Sequence, residues 1–155
     1  MRGRERVDGG EGRPGASPPA AGRRALQTTV GLLGLVAVVF GTQTVLLGAR
    51  SVLGAGAVSA NLDNELRFYA AWYVGAGLLL LRSVPRVEAA TTWIRGVAAV
   101  LLLAASGRLL SLLTVGRPHP GQIALMLVEF AIPLILVPWQ TVVARRWRAG
   151  RPSTR

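Results

Sequence analysis

Residues 25–49 read ALQTTVGLLGLVAVVFGTQTVLLGA, a run without a single charged side chain. No other feature constrains the fold as much. About 20 apolar residues in a helix cross the hydrocarbon core of a bilayer, and there every backbone N–H and C=O must be paired within the protein. A helix meets that demand within its own segment. A strand reading fails because the run is long, continuous and rich in Leu and Ala. The run is also too long for the apolar core of a cleaved signal. The small-residue sites Ala55-Gly56-Ala57 and Val58-Ser59-Ala60 lie well past its end. It is expected to remain as a membrane helix.

Three more apolar runs follow, over about residues 62–81, 89–115 and 121–143. The connections are short, which makes sequence neighbours antiparallel. The expected fold is therefore all-α, an integral membrane four-helix bundle. Gly34, Gly41 and Gly48 recur every seven residues, which permits close helix contact. Beyond the initial Met1, residues 1–24 hold one large apolar residue, Val7, and are expected to form a disordered basic tail. Residues 25–145 form the transmembrane domain, and 146–155 a second basic tail. Pro133 and Pro138 are expected to kink or loosen the fourth helix.

The net charge is +11, and all 18 basic residues are Arg. Use of Arg throughout points to a GC-rich, bacterial genome. Outside the spans, thirteen arginines fall in residues 1–24, 82–88 and 144–155, against Arg50 and Arg117 in the other loops. Both termini are therefore expected on the cytoplasmic side of the plasma (inner) membrane. Trp93, Trp139 and Trp147 would lie near that interface. This placement accounts for the charge without nucleic acid. There is no cysteine and one histidine, so no metal site or cofactor is expected. No phosphate cradle and no nucleophile elbow is present. The reading is non-enzymatic.

Charges inside the spans stand out. On this topology Arg108 lies roughly 10 Å, and Glu129 roughly 12 Å, inside the outer ends of helices three and four. An ionised group near mid-bilayer costs at least ~2.5–3.5 kcal/mol on insertion scales and seeks a partner. The two are expected to face each other. Asn61, Glu65, Tyr69 and Trp72 share one face of helix two. Ala104, Arg108 and Ser111 form the matching face of helix three, and Gln122, Met126, Glu129 and Pro133 that of helix four. Together they are expected to enclose an outward pocket, with Arg67 extending its charge network and His119 at its mouth. Asp63 and Asn64 are expected to cap helix two. Arg95 is expected to snorkel to lipid headgroups. Two readings of Arg108 and Glu129 stay open: a functional pocket, or a pair that only fixes register.

The block SANLDNELRFYAAWYVGAGLLLL, with GRLLSLLTVGRPHP and the later LMLVEF, resembles domain-of-unknown-function family 4345. Those are small bacterial four-helix membrane proteins, similar in plan to the DoxX-like group. The resemblance covers roughly residues 28–145. Its pattern falls on Asn64, Glu65, Arg67, Phe68, Trp72, Gly107, Arg108, Ser111, Gly116, Pro118 and Glu129. It implies the four-helix plan and no activity. Some DoxX-like proteins are linked to quinone or sulfur redox work, which adds weight to a lipid or quinone ligand.

The expected function is a multi-pass protein whose pocket binds a small amphiphile, lipid or quinone, or an accessory subunit of a larger membrane complex. The pocket residues would be Asn61, Glu65, Arg67, Tyr69, Trp72, Arg108, Ser111, His119 and Glu129. With Asp63 their charges sum to −1, which suits a neutral or zwitterionic guest. The alternative is a small homo-oligomeric proton-coupled transporter titrating at Glu129.

Overall fold

The computed structural model describes residues 20–149 and contains four α-helices. They are α1 (Ala20–Leu47), α2 (Ala60–Ser83), α3 (Thr91–Thr114) and α4 (Pro120–Ala149). Short 3-10 turns at Gly48–Ser51 and Val84–Arg86 follow α1 and α2. No strand occurs among the described residues.

The helix ends follow local chemistry, and some expectations change there. The N-cap of α2 is Ser59, whose hydroxyl accepts from the Leu62 N–H at 3.3 Å, so neither Asp63 nor Asn64 fills that position. Pro120 opens α4, where its missing N–H costs no helical bond. Pro133 and Pro138 lie inside α4, which stays one continuous helical segment. Residues 20–24, expected in the tail, begin α1. At the other end α4 carries Arg146 and Arg148 into its last turn, where cations suit the helix dipole. Of the two expected tails, residues 1–19 and 150–155 lie outside the described residues.

Two antiparallel hairpins make up the bundle, each held in its own way. In α1–α2 the backbones meet. A methyl on Gly34 would come 2.9 Å from the Gly77 carbonyl oxygen, and one on Gly41 would come 3.0 Å from that of Ala70. Small residues at the expected spacing thus permit close approach. Gly48 departs from that pattern. It lies beyond the end of α1 with φ +59°, in the left-handed region that suits glycine. In α3–α4 the recorded ties are between side chains: Arg95 to Thr141, Thr91 to Gln140, and Arg108 to Gln122 and Glu129.

All four helices converge toward the end where α1 begins and α4 finishes. There Leu26 and Val30 of α1 pack with Leu80, Val87, Ile94 and Leu136. The opposite end, with the α1–α2 and α3–α4 connections, has no such apolar plug among the described residues.

Three segments are long and apolar enough to cross a membrane: residues Ala21–Ser51, Thr91–Thr114 and Pro120–Ala149. They mark the chain as a membrane protein. The 24 residues of α2 are long enough, but its polar opening, Asn61 to Arg67, keeps it out of that set.

Candidate functional site

At the end away from the apolar core, the α1–α2 connection leans over the α3–α4 hairpin. A methyl on Gly54 (φ +78°) would come 2.9 Å from Cβ of His119, so only glycine lets the two loops meet this closely. Between them opens a cleft of about 310 Å³. That is at the small end of the ~300–1,000 Å³ typical of ligand pockets. Val52, Leu53, Gly54 and Ala55 line it from the connection, and Arg108, Ser111 and Leu112 from α3. Pro118, His119, Gln122, Ile123 and Met126 complete the wall.

Arg108 is pinned by α4. Its Nε donates to Glu129 Oε2 at 2.8 Å, and its Nη1 donates to Gln122 Oε1 at 2.8 Å. Gln122 and Glu129 are seven residues apart, so two turns of α4 present both to one guanidinium. Equal depth on adjacent helices does bring Arg108 and Glu129 together. Glu129 is buried, whereas about a third of the Arg108 side chain stays exposed. Ser111 lies one turn further along α3, exposed at the cleft. His119 accepts the Gly121 N–H at its Nδ1, at 3.1 Å.

The helix-two residues do not join this site. Asn61, Glu65, Tyr69 and Trp72 are exposed, and none lines the cleft. The cause is the packing of α2. Its buried positions Ala70, Gly77 and Leu80 turn toward α1 and the core, which leaves the polar and aromatic face pointing outward. On that face Phe68 meets Tyr69 and Trp72 edge-on, with centroids at 5.4 and 6.4 Å. Arg67 does something else. It donates to Asp63 Oδ2 at 2.7 Å and to the carbonyls of Val45 and Leu46 at 2.7 and 3.0 Å. Asp63 in turn accepts the Ala49 N–H at 2.8 Å. The pair thus satisfies backbone groups that α1 leaves open at its C-terminal end. With Asp63, Glu65 and Arg67 away from the cleft, the charges at its wall reduce to Arg108 backed by Glu129.

A second cluster, not anticipated from the sequence, closes the opposite end. Arg23 donates to both oxygens of Glu88, at 3.0 and 3.3 Å, and to the Pro85 carbonyl at 3.0 Å. It also lies 5.6 Å from the Trp147 ring centroid. Nearby, fully buried Gln140 donates to Thr91 Oγ1 at 2.8 Å and, more weakly, to the Val87 carbonyl. Arg95, expected to snorkel, donates to Thr141 at 3.1 Å while remaining exposed. The signal that could have pointed to Arg23 and Glu88 is their placement at the same end of the antiparallel α1–α2 hairpin.

The family described as Domain of unknown function (DUF4345) matches residues 25–140. The chain belongs to this family. The match covers α2 and α3 whole and most of α1 and α4, and it includes every cleft-lining residue. No curated protein and no solved structure matches the chain.

Proposed function

We propose that this DUF4345 protein is a multi-pass plasma-membrane protein with both termini cytoplasmic, and that its outward cleft binds a small amphiphile, a lipid or quinone, without catalysing a reaction. One observation carries this reading. Arg108 lines the cleft and is fixed by Glu129 and Gln122 through Nε and Nη1, yet its other N–H donors have no acceptor among the described residues. An arginine this far along a membrane helix is costly. If it only fixed register, its donors would be expected to be used up inside the bundle. The cleft walls add Leu53, Leu112, Ile123 and Met126 for an apolar chain. The asymmetry of arginines between the two ends supports the orientation.

The transporter reading needs Glu129 to exchange protons with water, and its carboxylate is buried against Arg108. No contact among the described residues favours it. Native mass spectrometry of the gently solubilised protein tests the proposal. A defined small mass that delipidation removes and added lipid extract restores is expected. A bare protein under both conditions, or a second protein bound in place of the small molecule, would overturn it.

A further inference from the structure

Two cleft side chains, Gln122 and His119, already accept a hydrogen bond from the protein itself. Arginine can only donate, so the Gln122 atom facing Arg108 Nη1 is the amide oxygen, and the amide NH₂ is the end left open. A backbone N–H can only donate, so His119 Nδ1 carries the lone pair. In the neutral imidazole the proton then sits on Nε2. Arg108 keeps its Nη2 hydrogens and one on Nη1, for which no described residue is an acceptor. Ser111, the remaining polar side chain on the wall, can donate as well as accept. The side chains of the cleft therefore offer donors from several directions, while the one nearby carboxylate is engaged behind Arg108.

We infer that the cleft selects a neutral amphiphile whose headgroup presents only hydrogen-bond acceptors, such as an ester or ketone carbonyl. This rests on the amphiphile reading above and narrows its ligand class. An ammonium headgroup would set donor against donor. An anionic headgroup would lose its hydration and gain little net Coulomb attraction, because Glu129 already neutralises Arg108.

The test uses three probes with one sixteen-carbon chain, titrated into the full-length protein in detergent at pH 8 by native mass spectrometry: methyl hexadecanoate, hexadecanoate and hexadecylamine. The ester is expected to bind about tenfold tighter than either other probe, the equivalent of one or two hydrogen bonds. Gln122→Glu keeps an oxygen for Arg108 and turns the open NH₂ into an acceptor. It should leave the protein folded, weaken the ester about tenfold and strengthen the amine. Tighter binding of hexadecanoate or hexadecylamine than of the ester overturns this inference and leaves the amphiphile cleft standing. So does a Gln122→Glu variant that binds the ester as the wild type does. Failure of all three probes to bind overturns both.

Discussion

Arg23 and Arg108 each hold a carboxylate, at 3.0 and 2.8 Å. The side chains of Glu88 and Glu129 are 6% and 5% exposed, and those of the two arginines 33% and 32%. By these measures the pairs are interchangeable, and they differ in what surrounds them. Arg23 spends its donors on both carboxylate oxygens, on Gln27 and on the Pro85 carbonyl, with Trp147 beside it. It clasps α1, the α2–α3 connection and α4 beside the apolar core. Arg108 binds one carboxylate oxygen and one amide, then faces a cleft. Burial alone therefore does not separate a structural pair from a binding one. On the function proposed above, unused donors beside open space are what set Arg108 apart.

The largest effects should come from removing one arginine at a time. Arg23→Met or Arg108→Met leaves a buried carboxylate unpaired, and each should cost about 3–5 kcal/mol of stability. Thermal and denaturant unfolding in detergent would measure this. If either variant keeps wild-type stability, that carboxylate is better solvated than its burial indicates, and the comparison of the two pairs breaks down.

Much of this was legible from the chain, for reasons that particular residues make clear. Long apolar runs located α1, α3 and α4, the first of them free of charge over residues 25–49. Depth counting matched Arg108 to Glu129, because two adjacent antiparallel helices leave little choice of partner at one level. Direction was harder. The spacing of Asn61, Glu65, Tyr69 and Trp72 correctly defines a helix face but does not say where it points. Ala70 and Gly77, small enough to let α1 approach, decided that. The Gly54–His119 contact was likewise hidden, since it joins two loops far apart in the chain and depends on a left-handed backbone. The roles of Arg23 and Glu88 also depend on tertiary placement, because both look like ordinary loop and tail charges.

A smaller effect sharpens the contrast between α2 and the cleft. Trp72 is 68% exposed and lies outside the cleft. Trp72→Ala should change stability by no more than about 0.5 kcal/mol. It should also leave any bound small mass in place by native mass spectrometry. Loss of that mass would return the aromatic face of α2 to the site.

The most direct test replaces each ion pair by apolar residues of similar size and reads stability and bound mass together. Arg23→Met with Glu88→Leu should lower the melting temperature, since the bonds to Pro85 and Gln27 go too, and should keep the bound molecule. Arg108→Met with Glu129→Leu should leave the melting temperature near that of the wild type, because a buried pair is often replaceable by apolar packing. It should lose the bound molecule. If this second variant retains the same mass as the wild type, Arg108 is only a structural tie and the account of the cleft is contradicted.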